Sequence, residues 1–386
     1  TFDRIRARAG GRSFAPGRLR IEGDAVFDGY STPADFNTDD RVRRAAGVEV
    51  GIEGAGATRY SLTARYEQGA LGRADESERE TTEGRVDARG QLGIVGDRIR
   101  LDAAGGIAGT GAVGTDTRYG AGGLAVAFGR PDGPRIALGA RALVLDVDGP
   151  ATGADAQTAG PIVDLSLPLG ATTRLFARND PHVAVRSLTD LSGVNPFVVP
   201  NPLVVPDVFP VDARAGLELR PGAARVRVFG IGQRAPTYLV FDQAGGEFTT
   251  SVLDLTVLGL GGDVSLIAPG GISFAAGLEV RAADAEGVDA VPFYAPVQGR
   301  AGFQVPFGAN RGRIGLAAMA ESARPLDRTG GDDAQAWGRL ALDARYDVTE
   351  AVSIVLRGER LVGDAERWPG SPEPPFTVLA GIRLSR

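Results

Sequence analysis

The chain has 386 residues, a formal net charge of −6, 43% hydrophobic but only 6% aromatic residues, and 56 glycines. That length suits two or three ordinary domains or one large sheet. The lack of cysteine excludes a disulfide framework and zinc–cysteine sites, and the mild acidity leaves none of the basic footprint of nucleic-acid binding.

Every one of the 42 basic residues is arginine. No run approaches the roughly 18–20 apolar residues of a spanning helix. No basic start followed by an apolar run marks a signal peptide. The chain opens on Thr1, so processing or a longer precursor is expected.

Two-residue alternation, the mark of a half-buried strand, recurs from end to end. It covers 19–27, 46–52, 60–66, 86–94, 99–107, 120–128, 136–144, 163–167 and 175–177. After a long gap it returns at 213–219, 226–230, 253–266, 272–280, 291–305, 314–320, 340–346, 352–358 and 376–384. That makes about 18 predicted strands, with 16–20 allowed by the uncertainty of such boundaries. The segment 1–16 reads as an N-terminal extension or one more strand, and 17–386 as a single domain. Every second connection is tight, such as "RPDGP" at 130–134 or "FGANR" at 307–311, with Gly, Pro, Asn and Asp supplying the turns. Those between are long and polar, such as "LGRADESERETTE" at 71–83. Regular alternation of the two implies an antiparallel up-and-down meander with its long loops at one end.

In "GRLALDARYDVTEAVSIVLRGE" at 338–359, Leu340, Leu342, Ala344 and Tyr346 fall on one parity, and Arg339, Asp343, Arg345 and Asp347 on the other. The same split recurs along the chain. The charged face carries Arg20, Glu22, Glu49, Arg65, Glu67, Arg85, Asp87, Arg89, Arg98, Arg100, Asp102, Arg135, Arg141, Arg225, Arg227, Glu279, Arg281, Arg313 and Arg357. A sheet of this width curls and closes. With the apolar face inside, it would enclose more space than Leu, Val and Ala fill. With the charged face inside, it holds water, and the apolar face needs lipid. That pattern is a transmembrane β-barrel, whose closure satisfies the backbone hydrogen bonds a membrane span demands. A propeller would repeat signature residues at a period of roughly 40, and none recur.

The end of the chain, "RYDVTEAVSIVLRGERLVGDAERWPGSPEPPFTVLAGIRLSR", resembles the C-terminal end of outer-membrane barrels of the TonB-dependent-receptor type. Trp368, Pro369, Gly370, Pro372, Pro374, Gly381 and Arg383 carry the match, over about the last forty residues. The resemblance implies an outer-membrane barrel of a Gram-negative-type bacterium. Members of that type have a plugged lumen and about 22 strands. Here no plug-like segment is visible, the strands are fewer, and the chain ends on Arg386 rather than an aromatic. A porin-like or accessory barrel fits the visible chain better than energy-coupled uptake.

The remaining motifs carry little chemistry. "GTGAVG" at 109–114 matches G-x-G-x-x-G, but no helical pattern follows, as a dinucleotide site requires. His182, with Asp180 and Ser187 nearby, reads as a solvated loop histidine rather than a base. The carboxylates at 145–155 and 329–333 lack calcium-loop spacing. No catalytic residue, metal or cofactor is assigned. The segment 195–211, "NPFVVPNPLVVPDVFPV", lies within a Pro-rich loop at 179–210 and is too apolar to stand in water. It either packs on neighbouring loops, covers a partner, or folds inward so that Phe197, Leu203 and Phe209 constrict the lumen. The combined reading is a multi-pass barrel passing small polar solutes through a charged lumen, with lipid and lipopolysaccharide outside. The alternative is a scaffold for other envelope proteins with its lumen closed by loops.

Overall fold

The computed structural model describes all residues except 1, 13–17, 31–40, 55–57, 74–79, 95–97, 112–113, 131–132, 150–153, 196, 200, 245–246, 310, 350–351, 363–367, 369–375 and 385–386. β1 (Phe2–Arg12) pairs antiparallel with β2 (Arg18–Tyr30), and each strand then pairs with the next. In order these are β3 (Arg41–Gly54), β4 (Arg59–Arg73), β5 (Thr81–Ile94), β6 (Ile99–Thr110), β7 (Thr115–Gly129), β8 (Arg135–Asp148), β9 (Ala156–Pro168) and β10 (Thr173–Asn179). An excursion follows, holding β11 (His182–Ala184), helix α1 (Leu188–Val194) and β12 (Asp207–Phe209). The meander resumes as β13 (Val211–Leu219), paired directly with β10, then β14 (Ala224–Ala244), β15 (Glu247–Ile267), β16 (Ser273–Ala285), β17 (Val297–Phe307) and β18 (Gly312–Glu321). A two-residue hairpin, β19 (Arg324–Pro325) with β20 (Asp333–Ala334), precedes β21 (Trp337–Asp347), β22 (Val352–Val362) and β23 (Phe376–Leu384). Nineteen of these strands form the up-and-down antiparallel sheet.

Connections of four or five residues, such as 130–134 between β7 and β8 or 220–223 between β13 and β14, fall at one end, apart from 111–114 between β6 and β7 at the other. At the other end lie the long loops and the tip of the β14–β15 hairpin, whose strands are 21 residues each. The sheet curls. Leu71 on β4, Leu143 on β8 and Trp368 just before β23 stand far apart in the strand order yet belong to one buried cluster. Their face is therefore concave. The opposite face leaves its large apolar side chains bare: Leu260 is 68% and Ile382 72% exposed, and Val48, Leu62, Leu138, Val228, Leu278, Leu316 and Leu342 are exposed with them. Contiguous apolar cover on that scale far exceeds the few hundred Å² a protein exposes to water. It is the lipid-facing surface of a membrane barrel.

Two predicted boundaries shift. The stretch 291–296, expected as strand, is a turn in which Phe293 takes φ 55°. The strand expected at 226–230 continues to Ala244 past a register shift between Ala235 and Tyr238. The extra residues of that bulge, with Pro236, break the alternation the sequence would otherwise display. α1 was not expected either. Its seven residues are too short for a helical period, but a capping box holds it: Ser187 Oγ accepts from Asp190 N at 3.0 Å, and Asp190 accepts from Ser187 N at 3.0 Å.

Candidate functional site

The concave face has two tiers. Nearer the tight turns it is charged, and the charges pair across and along strands. Arg65 meets Glu67 at 2.6 Å and Arg85 meets Asp87 at 2.7 Å. The Tyr119 hydroxyl also donates to Asp87. Arg141 reaches Asp102 at 2.7 Å and, on the far side, Asp180 at 2.9 Å, while Arg100 stands 3.8 Å from Asp102. Glu218 is held by Arg220 at 2.6 Å and Arg225 at 2.5 Å. Arg227 meets Asp263 at 2.8 Å, and Glu279 takes both Arg281 and Arg214. Arg345 meets Asp347 at 2.8 Å; Arg357 lies 2.5 Å from Glu359 and 3.8 Å from Asp343, and Arg339 lies 3.6 Å from Glu359.

Most residues expected to line the lumen thus stand on the concave face, in pairs. Glu49 is half-buried there. Arg89, Arg135 and Arg313 make no ion pair among the described residues. Arg98 is exposed at the turn just before β6. The side chains of Arg20 and Glu22 lie outside the described residues. Sequence reasoning passed over Arg174, Arg214 and Arg300 on the same face; their strands were read short or with blurred limits, although the alternation through them was available.

Nearer the long loops the concave face is filled by a cap. Phe197 and Phe209 are buried, and Leu203 is partly buried against the main cluster. The cluster takes Val198, Val204, Val205 and Val208 from the excursion and Leu143, Leu145 and Val147 from β8. It takes Leu239, Phe241 and Phe248 from the β14–β15 hairpin, and Trp368 from the loop before β23. Backbone pairing joins the parts: Val208 pairs with Thr237, and Val199 N donates to Phe248 O at 2.8 Å. Gly160 on β9 leaves room for this packing, since a Cβ there would strike the Pro210 carbonyl.

Trp368 is the pin of the cap. Phe241, Phe248 and Phe293 surround its ring at 5.1, 5.4 and 5.1 Å between centroids, and its Nε1 donates to Val194 O at 3.2 Å. The Arg324 guanidinium lies 5.4 Å from the same ring and pairs with Glu321 at 3.0 Å. On the β3–β5 side the cap is tied by polar bonds instead. Arg43 donates to Thr189 O at 3.1 Å, and Glu83, itself buried, accepts from Leu188 N. Inside the cap, the buried Asp207 accepts from Arg186 at 2.6 Å and from Leu239 N at 2.7 Å.

The other motifs do not assemble. His182 is half-buried, not solvated: it stacks on Phe209 at 5.0 Å, with its Nδ1 2.9 Å from Asp180 O. Asp180 is taken up by arginines and Ser187 by the helix cap. The described part of 109–114 leads into strand β7, not a helix. Asp155 accepts from Val147 N at 2.8 Å, as a loop brace. Among the described residues no group of His, Asp or Glu is placed to hold a metal ion.

Comparison with solved structures gives the fold, that of outer-membrane β-barrels; the similar structures are TonB-dependent receptors. The FrpB iron transporter from Neisseria meningitidis (F3-3 variant) aligns with TM-score 0.67 and 10% identity over 99% of this chain and 72% of its own. The copper transporter OprC aligns with TM-score 0.60 and 13% identity over 100% of this chain and 79% of its own. The siderophore receptor PirA from Acinetobacter baumannii gives 0.62 and 8%, over 99% and 70%. No family model and no curated protein matches the sequence.

Proposed function

We propose that this protein works in transport across the bacterial outer membrane, passing small polar solutes through a charged lumen that the loop cap constricts. The observation that carries this is the inversion of surfaces: bare Leu, Val and Ile outside, and a wall of arginine–carboxylate pairs inside. Fixed charges of both signs lining a pore set its selectivity. The bare apolar band supports lipid and lipopolysaccharide as its surroundings. Structures of the same fold are titled copper and iron transporters and siderophore receptors, which supports transport in general. Passive passage is the simplest form this chain's own residues support. Phe197, Leu203 and Phe209 act as the constriction, because they and their neighbours fill the loop-side mouth.

Planar-bilayer recording tests this. Wild type gives low or intermittent conductance, and deletion of 195–209 raises it to steady open channels. Conductance unchanged by the deletion removes the constriction. Silence of both proteins removes the pore and, with envelope proteins co-purifying, supports the scaffold reading. That second reading is favoured by the cap itself, which is packed and pinned like a domain core. A gel shift seen only after heating checks the barrel independently of either.

A further inference from the structure

The register of the sheet brings together an arginine field on the turn-side wall from β10 to β17. Three lateral rows of inward positions lie side by side. The first runs Arg174, Glu218, Arg227, Asp263, Gly277, Arg300. The second runs Phe176, Gly216, Phe229, Gly261, Glu279, Gln298. The third runs Arg178, Arg214, Ile231, Gly259, Arg281. Six arginines thus face three carboxylates within these rows, with Asp164 on β9 opposite Arg178 and Asp180 just past β10 at their edge. Strands about 4.8 Å apart and rows about 7 Å apart give the field a width near 24 Å and a height near 14 Å.

The chemistry of the field is not that of simple mutual neutralisation. Arg178 and Arg214 are directly opposite on neighbouring strands, a like-charge pair that destabilises a sheet. Asp180 answers Arg178 at 3.2 Å, and Arg214 shares Glu279 at 3.4 Å with Arg281, which also binds it. The carboxylates are therefore fully used. Arg174 and Arg300 make no ion pair among the described residues. Glycines beneath keep the wall flat, so the guanidinium groups are what stands off it: a Cβ at Gly259 would meet the Arg281 side chain at 3.1 Å, and one at Gly277 would meet Arg300 Nε at 3.4 Å. In the middle Phe176 and Phe229 meet at 6.5 Å, and Arg214 lies over Phe229 at 5.3 Å.

We infer that this field is a binding step for anionic solutes carrying carboxylate or phosphate groups, and that the lumen selects anions over cations. The inference rests on the transport reading above. Guanidinium forks take two oxygens of a carboxylate or phosphate at once, and Arg174 and Arg300, at opposite ends of the first row, each offer spare donors for such a contact without breaking an existing pair, as two separate sites.

The test uses the full chain in two formats, with Arg174→Gln/Arg300→Gln as the variant. In planar bilayers under a potassium chloride gradient, the reversal potential of wild type has the sign of chloride selectivity, and in the variant it moves toward zero. In detergent, titration with inorganic pyrophosphate gives binding that weakens with salt and falls roughly ten-fold at each site whose arginine is replaced, the loss of one charge-assisted hydrogen bond. Channels that are cation-selective or unselective overturn the inference and leave the pore intact. Silent bilayers with arginine-dependent pyrophosphate binding overturn the pore and leave the anion site. Absence of both effects, or binding that the variant retains, overturns the inference. The heat-dependent gel shift confirms that the variant is folded.

Discussion

Along β8 the inward positions run Arg135, Ala137, Gly139 and Arg141 on the turn side, then Leu143, Leu145 and Val147 on the loop side. Its outward positions run the other way: Ile136, Leu138 and Val144 are bare and apolar, and Asp146 and Asp148 follow them. Both faces exchange character within one strand. β15 repeats the inward half of the pattern, with Asp263, Gly261 and Gly259 below Val257, Leu255 and Leu253. The exchange on the outside marks where lipid gives way to water. The exchange on the inside marks where the charged wall gives way to a packed cap. One alternation rule serves both halves because a strand's period fixes only which side a residue faces, and the solvent on each side decides what belongs there.

The largest effects are expected in the cap. Asp207→Ala leaves the half-buried Arg186 and the Leu239 N–H without their buried acceptor, which costs up to about 3–5 kcal/mol; hydrogen exchange of the amides 197–209 should rise while those of β21 and β22 stay protected. Equal loss of protection in both places would mean that the cap and the sheet are one cooperative unit. Trp368→Ala removes a buried aromatic at a similar cost of about 3–5 kcal/mol, and single-channel conductance should rise without a change in the heat-dependent gel shift. On the outer face, Leu260→Arg separates lipid from water. In a membrane it destabilises by up to about 2–4 kcal/mol, depending on depth, read as a lower urea midpoint in liposomes, whereas a water-exposed leucine would tolerate the change. Ser187→Ala should cost about 1 kcal/mol by uncapping α1, seen as exchange confined to 188–194.

The smallest effect is electrostatic and lies in the loop before β21. The Thr329 hydroxyl and the backbone N–H groups of Thr329, Gly330 and Gly331 hold the exposed Asp327 carboxyl below the usual carboxylate range. A lowered folded-state pKa stabilises the turn above the ordinary aspartate range, and that stability is lost as pH falls through the folded value. Amide exchange at Thr329 and Gly330, corrected for its intrinsic pH dependence, should therefore show less protection in acid than at neutral pH.

The barrel was legible in the sequence because Leu340, Leu342 and Arg339, Asp343 alternate without interruption, and lipid enforces that alternation on every spanning segment. The cap was not. Its residues come from the excursion after β10, a hairpin tip behind a bulge and a single tryptophan before the last strand, and nothing in the chain says these meet. The apolar segment at 195–211 announced that something must cover it, without saying that the cover was the far wall. The arginine field was half-visible: Arg227 and Arg281 follow from parity, but their convergence with Arg174, Arg178, Arg214 and Arg300 depends on the register of six strands.

The bond from Trp368 to Val194 spans 174 residues of chain and has a bearing on biogenesis. Wherever the last hairpin is not yet in place, the excursion's apolar side chains lack the partner that pins them. Trp368 arrives between the last two strands, so the mouth is sealed only as winding finishes. Until then the apolar excursion has no cover, so closure of the mouth is tied to placement of the last strands rather than to local folding of the loop.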